Sequence, residues 1–335
     1  MTMDDTRILL AHGNGGRLMR ELIAGVFARH LGNSLLDTDA DAVALPRIDG
    51  EIMVTTDGFT VDPLEFPGGD IGSLAVHGVV NDLAVAGADP VYCTLSALIE
   101  EGLEIARLDR LVASFAHAAR QNRMTVVAGD TKVVRRGEGG GLYLSVAGVG
   151  VRRAAQLAIG RIAPGDAVIV SGSVGDHGVA VMLAREQFGL SGSLCSDSAS
   201  VLPLARAVRD LPGLRFMRDP TRGGLATVAH EIARASGHSV LLDQSAVPLR
   251  PEVVSVCDML GYDPYFLACE GRIVAVADPL AADAVLARWR ALPEGGDAAR
   301  IGRIEAGGGR VVFETGLGGR RVIDELEDDP LPRIC

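Results

Sequence analysis

Apolar positions along the first half of the chain switch repeatedly between short continuous runs and helically spaced sets. Arg7–Ala11 is a short apolar run and His12–Arg17 is a glycine loop. Leu18, Met19, Leu22, Ile23, Val26 and Phe27 then recur at helical spacing, so the segment predicts strand, loop and helix. Ile52–Thr56 is a β-branched strand ending at Asp57, and Ile71, Leu74, Ala75, Val79, Leu83 and Ala86 predict a helix that stops near Gly87 and Pro90. Val91–Ile99 reads as the next strand. Ile105, Leu108, Leu111, Val112, Phe115 and Ala119 mark an amphipathic helix, followed by strands at Met124–Ala128 and Leu142–Val151.

Arg152–Ala163, closed by Pro164-Gly165-Asp166, reads as a domain junction. Beyond it come a strand at Ala167–Ser171, a second glycine loop at Gly172–Gly178 and a helix from Val179 to Phe188. A Ser-rich connection leads to helices at Ser200–Arg209 and Gly224–Ala235, which flank the turn Arg218-Asp219-Pro220-Thr221-Arg222-Gly223-Gly224. Strands at Val240–Asp243 and Arg272–Asp278, a helix at Ala281–Ala291 and a closing hairpin around Gly307-Gly308-Gly309 complete the pattern. The interleaving fits an α+β sandwich as well as a doubly wound α/β sheet. The expected organisation is a domain over residues 1–152, a second over 153–323 and a tail over 324–335.

Composition narrows the function classes. Glycine supplies 42 of 335 residues, yet together with 15 prolines it stays below the share of about 25–30% that marks low complexity. A formal charge of −11 argues against nucleic acid as a partner, because phosphate-backbone binding needs clustered Lys and Arg. The longest uncharged stretch, Gly139–Val151, falls short of the ~20 apolar residues that span a bilayer, so no membrane segment is expected. The acidic start, Met1–Asp5, lacks the features of a signal peptide. Five cysteines, none spaced C-x-x-C, argue against a disulfide framework and suit a reduced, cytoplasmic protein. Cys93 and Cys257 read as small core residues.

The last cysteine, Cys335, is the final residue of the sequence. Five acids between Asp324 and Asp329 precede Pro330 and Pro332, a composition that favours an extended, solvated segment. Such a tail, at about 3.1 Å per residue, reaches on the order of 35 Å and can deliver Cys335 into a pocket.

Several residues suit phosphate and acid–base chemistry. His12, Asn14, Gly15 and Gly16 lie in a loop that opens a helix, where free N–H groups and the dipole favour an anion. The Walker lysine is missing, and a tight glycine turn is an equal reading. Asp57, Asp82, Asp130 and Asp219 are dispersed carboxylates that suit Mg²⁺ on a nucleotide, although each alone also fits a turn or helix cap. Asp82 resists that plainer reading, since it interrupts an apolar helix. Lys132 and Arg222 suit phosphate contact or a solvated surface equally. Glu270 sits in an apolar neighbourhood where partial burial would make it a usable proton acceptor, although by itself it also fits a turn residue. His77 and His177 have no metal-ligand spacing, and His177 lines the second glycine loop.

Taken together, His12–Arg17, Thr55-Thr56-Asp57-Gly58, Asn81-Asp82-Leu83, Gly129-Asp130-Thr131-Lys132, Gly175-Asp176-His177-Gly178, Asp219-Pro220-Thr221-Arg222-Gly223-Gly224 and Pro332-Arg333-Ile334-Cys335 resemble the HypE family of hydrogenase maturation carbamoyl dehydratases. That family falls in the superfamily of aminoimidazole ribotide and selenophosphate synthetases. The resemblance implies a two-domain PurM-like α/β fold, with the N-terminal sheets of two subunits forming a β-barrel at a homodimer interface. It implies an ATP site using His12, Asn14, Gly15, Gly16, Thr131, Thr221, Arg222 and Gly223, with Mg²⁺ on Asp57, Asp82, Asp130 and Asp219. It further implies carbamoylation of Cys335 by a HypF-type carbamoyltransferase, ATP-dependent dehydration of that S-carboxamide to a thiocyanate, and cyanide transfer to a HypC–HypD complex. Glu270 would act as base, with Lys132 as its electrostatic partner. Two rivals stay open: a synthetase acting on a free small molecule, which has no use for Cys335, and an ATP-binding scaffold without catalysis.

Overall fold

The computed structural model describes residues 6–153, 157–185, 189 and 192–326. Met1–Asp5, part of the junction, the end of the helix expected to reach Phe188, and the tail beyond residue 326 with Cys335 lie outside the described residues. The described residues divide into two compact units, one over residues 6–83 and 89–152 and one over residues 84–88 and 153–326.

In the first unit, a 3₁₀ turn at Leu10–Gly13 precedes a continuous helical stretch: α1 (Arg17–Leu22), a π-helical segment (Ile23–Ala28) and α2 (Arg29–Leu31). The strand expected at Arg7–Ala11 is not formed. Arg7 makes an isolated bridge to Glu104, and the chain then turns, because the His12 ring accepts the Leu9 N–H at Nδ1. There follow β1 (Glu51–Phe59), the short pair β2 (Glu65–Phe66) and β3 (Gly69–Asp70), α3 (Ile71–Val85), β4 (Ala88–Glu100), α4 (Ile105–Gln121), β5 (Thr125–Val134) and β6 (Leu142–Arg152). The main sheet runs β1-β6-β4-β5, with β1 antiparallel to β6 and β4 parallel to β5. Among the described residues the sheet stays open, with β1 and β5 as its edges.

Glycines let α3 sink between α4 and the sheet. A side chain at Gly72 would overlap the Leu111 carbonyl of α4, and one at Gly78 would press on the Phe59 ring of β1. That two-sided burial explains why α3 is apolar nearly all round.

The second unit contains a 3₁₀ turn (Ile159–Arg161), β7 (Ala167–Val170), α5 (Asp176–Ala184), α6 (Leu202–Val208), β8 (Leu214–Arg218), α7 (Gly224–Ser236), β9 (Ser239–Asp243), α8 (Pro251–Leu260), β10 (Val274–Ala277), α9 (Pro279–Arg290), β11 (Ala299–Glu305), β12 (Val311–Glu314) and β13 (Arg320–Ile323). Seven strands order as β13-β12-β9-β11-β7-β10-β8, antiparallel throughout except β12 with β9. The hairpin expected at Gly307–Gly309 is therefore absent: β9 inserts between β11 and β12, and the closing hairpin is β12–β13. The core gathers Val168, Val170, Leu225, Ile232, Val274 and Ile304, with Tyr265 stacked on Phe313 at 4.4 Å. Fully buried Trp289 ties α9 to α6 by donating to the Leu204 carbonyl at 3.0 Å. Among the described residues no helix is long and apolar enough to cross a membrane.

Candidate active site

In the first unit, two of the expected carboxylates meet on one seam. Residues two apart on a strand share a face, so Thr55, Asp57 and Phe59 of β1 all turn toward α3. Thr55 donates its hydroxyl to Asp82 of α3 at 2.6 Å. A Cβ at Gly78, one helical turn before Asp82, would stand 3.8 Å from the Asp57 carboxylate. Asp57 is exposed and Asp82 half-buried, so both stay open to a ligand.

Asp130 lies on the other edge strand, paired in register with Ser96, while Lys132 pairs with Leu98. Both are exposed and lie inside β5 rather than after it. With β6 and β4 between the edges, three strand spacings separate β1 from β5, about 14 Å. The N-terminal glycine loop packs against this same strand: a Cβ at Gly13 would stand 2.9 Å from the Val133 Cβ. Thr131 shares that face of β5, and its hydroxyl oxygen is buried with no hydrogen-bond partner among the described residues. A buried hydroxyl in that state suits a polar ligand atom beside the loop. Asn14 accepts the Gly16 N–H at 3.1 Å, and buried His12 braces the loop, while Gly15 remains in open space with a φ of +77°.

The second unit gathers three motifs that are far apart in sequence. Gly178 N–H donates to Ala268 O, and Cys269 N–H donates to Pro220 O at 3.0 Å, joining the second glycine loop and the Asp219–Gly224 turn to the Glu270 segment. The helix α7 begins at Gly224, later than Arg222, because Gly223 and Gly224 adopt φ of +73° and +59°. A Cβ at Gly224 would collide with the Leu267 and Tyr265 carbonyls at 2.5 and 2.7 Å, so only glycine permits this approach. The α7 N-cap, Gly223, supplies no side-chain cap, which leaves the helix N-terminus suited to an anion. Asp219 is buried, Thr221 accepts the Gly224 N–H at 3.0 Å, and Arg222 is exposed.

Glu270 is buried, beyond the partial burial expected. Around it stands a set of polar groups: Asp176 and His177, named in the sequence only as part of the second glycine loop, and Asp197, Arg272 and Arg250, which sequence reasoning missed. Asp197 accepts the Glu270 N–H at 3.1 Å, and its second oxygen lies 3.5 Å from Arg272 Nε. Arg272 also donates to the Ser173 carbonyl at 2.9 Å and pairs with buried Asp176, which accepts from Arg250 Nε at 2.9 Å. His177, fully buried, pairs with the Ser196 hydroxyl at 2.8 Å, and burial pushes its pKa down to about 3. Burial raises the Asp197 carboxyl above its ordinary range, with Arg272 opposing that rise. Cys269 accepts the Gly175 N–H, and burial pushes its thiol well up, away from thiolate chemistry. One signal was available for Arg272, a lone charge opening the apolar run Ile273–Ala277. Asp197, among serines, had none.

Among the described residues, no group of three or more His, Cys, Asp or Glu side chains stands close enough to hold a metal by itself. Mg²⁺ commonly takes one or two carboxylates and completes its shell with phosphate and water, a demand that Asp57 and Asp82 on their shared seam fit.

Comparison with known proteins identifies the family and the fold. Residues 38–152 match AIR synthase related protein, N-terminal domain, and residues 163–314 match AIR synthase related protein, C-terminal domain. Carbamoyl dehydratase HypE of Rhizobium leguminosarum bv. viciae is 45% identical over 98% of this chain and 95% of its own length. A crystal structure of hydrogenase maturation protein HypE in complex with ATP superposes with a TM-score of 0.92 at 43% identity, covering 98% of this chain and 99% of that one. A chain of a HypE–HypF complex superposes at 0.80 with 38% identity, covering 93% of this chain and 100% of that one. The chain thus belongs to the carbamoyl dehydratase HypE family, enzymes of hydrogenase maturation built on the PurM-like α/β fold of the AIR synthase related proteins.

Proposed function

We propose that the protein dehydrates the S-carboxamide of its own Cys335 to a thiocyanate at the expense of ATP, and that the cyanide so formed serves the Fe(CN)₂CO unit of [NiFe] hydrogenase. The observation that carries the reading is the juxtaposition of buried Glu270 with the uncapped N-terminus of α7, through the bond from Cys269 to Pro220. A carboxylate set beside an anion-binding helix end suits a reaction that moves a phosphoryl group and a proton together.

A carboxamide oxygen leaves poorly. Transfer of the ATP γ-phosphoryl to that oxygen makes phosphate the leaving group, and loss of the nitrogen protons forms the C≡N bond. Glu270 is the proton acceptor and Lys132 its electrostatic partner. The loop of His12, Asn14, Gly15 and Gly16, with Thr131, Thr221, Arg222 and Gly223, binds the nucleotide, and the unpartnered Thr131 hydroxyl supports that assignment. Asp57, Asp82, Asp130 and Asp219 are the Mg²⁺ ligands, divided among more than one ion because β1 and β5 stand about 14 Å apart, and the ions would neutralise phosphate charge. Domain roles follow: residues 1–152 for ATP binding and dimerisation, residues 153–323 for the Glu270 site, and residues 324–335 for carrying Cys335.

A homodimer with a shared β-barrel draws support from the open sheet and from Ile52 and Val54, which stand 57% and 68% exposed on edge strand β1. A HypF-type carbamoyltransferase loads Cys335, consistent with the relative solved in a HypE–HypF complex. The HypC–HypD complex is the cyanide acceptor, and the setting is the cytoplasm.

The test is incubation with ATP, carbamoyl phosphate and the carbamoyltransferase, followed by intact-mass measurement of the peptide that carries Cys335. Carbamoylation and then ATP-dependent loss of one water are expected. Cys335→Ala should keep the fold and show neither change, and thiocyanate formation in that variant would sink the reading. A free-substrate synthetase would leave Cys335 unmodified.

A further inference from the structure

The dehydration chemistry accounts for Glu270 but leaves unused a buried charged set of the second unit: the Asp176 and Asp197 carboxylates and the Arg272 guanidinium between them. Buried charges are costly, and breaking such a set leaves an uncompensated ion, so their geometry calls for an explanation.

Three bonds fix the peptides on either side of Glu270. Its own N–H donates to Asp197 Oδ1 at 3.1 Å, its carbonyl accepts the Ala199 N–H at 3.3 Å, and the preceding Cys269 N–H donates to Pro220 O at 3.0 Å. Immediately after it, Gly271 lies so close to residues 197–199 that a Cβ would overlap the Asp197 carbonyl. The Glu270 main chain is thus pressed onto one short segment, and Asp197 is the only side chain among those bonds.

Asp197 is itself held from behind. Arg272 Nε stands 3.5 Å from Asp197 Oδ2, while the same guanidinium donates to the Ser173 carbonyl at 2.9 Å and reaches Asp176 at 3.5 Å. The side chains of Asp197 and Asp176 are 1% and 2% exposed, so water screens these pairs little. Rotation of Asp197 would abandon both the Glu270 amide and the arginine.

We propose that Asp197, backed by Arg272, is a positioning residue that sets the Glu270 carboxylate for proton removal. The proposal rests on the reading of Glu270 as the base. Asp197 reaches the reaction through the Glu270 backbone and touches no reacting atom. A displacement of about 1 Å in a general base can cost on the order of a hundredfold in rate.

The experiment follows single-turnover dehydration of the full carbamoylated chain by intact mass, with varied ATP. Wild type is compared with Asp197→Ala, Asp197→Asn, Glu270→Gln and the double variant Asp197→Ala/Glu270→Gln. Asp197→Ala should slow the maximal rate about tenfold to hundredfold while leaving the half-saturating ATP concentration unchanged. Asp197→Asn keeps an oxygen that can accept the Glu270 N–H and should recover much of the loss. If Asp197 acts through Glu270, the double variant should be no slower than Glu270→Gln alone, whereas an independent structural role would multiply the two losses. A wild-type rate in Asp197→Ala, a parallel rise in half-saturating ATP or multiplicative losses would overturn the proposal. Should Asp197→Ala fail to show a cooperative thermal transition, Asp197→Asn carries the test: a severalfold slower rate with faster hydrogen exchange at the Glu270 amide is expected, and wild-type values for both would overturn it. A wild-type rate in Glu270→Gln would instead remove the base assignment beneath it.

Discussion

The two units treat charge in opposite ways. In the first, Asp57, Asp130 and Lys132 are exposed, and the charged candidates are spread over a loop, a seam and two sheet edges. In the second, Asp176, Asp197, Glu270 and His177 are buried and tied to one another's segments by hydrogen bonds and ion pairs. Exposed groups can reorient around a mobile, many-charged ligand such as a metal–nucleotide complex, and their solvation costs little in its absence. Buried groups are pre-oriented, which favours a proton transfer that demands one geometry. The folded state carries the cost of the second arrangement, so a substitution there should show in stability, whereas one in the first unit should show in turnover.

The largest expected effect tests that division directly. Arg272→Met leaves Asp176 and Asp197 without their shared cation and should cost about 3–5 kcal/mol in urea unfolding. Lys132→Met removes an equal charge from an exposed position of β5 and should leave the unfolding midpoint unchanged, while dehydration slows about a hundredfold or more. Equal stability losses in the two variants would break the contrast.

A pH series sharpens it. His177, held near pKa 3 by burial, stays neutral in the folded protein while the unfolded chain binds a proton near 6.5. Between those values the unfolded state holds more protons, so the contribution is complete above about pH 6.5 and is lost as pH falls toward 3. His177→Gln should flatten the acid side of the stability curve by up to about 1.4 kcal/mol per pH unit. In the first unit, His77 is lowered only to about 4, so His77→Gln should flatten the curve over a narrower range. Parallel wild-type and variant curves would remove the buried-histidine account.

Periodic features of the fold were legible in the sequence, and features set by long-range pairing were not. The helix α4 carries a strict apolar stripe and appears at Ile105–Gln121, close to its expected range. By contrast, β11 and β12 are neighbours in sequence with a glycine-rich link, which reads as a hairpin, yet β9 pairs with both from about sixty to seventy residues away. No local pattern carries that information. The site divides the same way. Asp82 stood out as a carboxylate inside an apolar helix, and the structure gives it Thr55 as a partner. Asp197 lies in Ser196-Asp197-Ser198, a composition that reads as a loop, and only the fold brings it under Glu270. β8 and α8 were also missed, the first because it is five residues long and carries two arginines, the second because its Pro251 start resembles a turn.

The smallest expected effect compares one hydroxyl in each unit. Thr55 donates to Asp82 at 2.6 Å and Ser173 donates to Asp176 at 2.5 Å, so the two bonds are alike in chemistry and length. They differ in surroundings, since Asp82 is half-buried and Asp176 is 1% exposed. A hydrogen bond to a charged group contributes about 1.5–3 kcal/mol when buried, and water substitutes for part of it when the acceptor can be reached. Ser173→Ala should therefore cost about 2–3 kcal/mol. Thr55→Val should cost about 1 kcal/mol, because solvent reaches Asp82 and because valine favours the strand. If Asp82 is a Mg²⁺ ligand, Thr55→Val should also change the Mg²⁺ concentration needed for half-maximal dehydration, whereas Ser173→Ala should not. Urea unfolding and a Mg²⁺ titration of single-turnover dehydration measure the two quantities, and equal stability losses would show that burial does not separate the units as their geometry indicates.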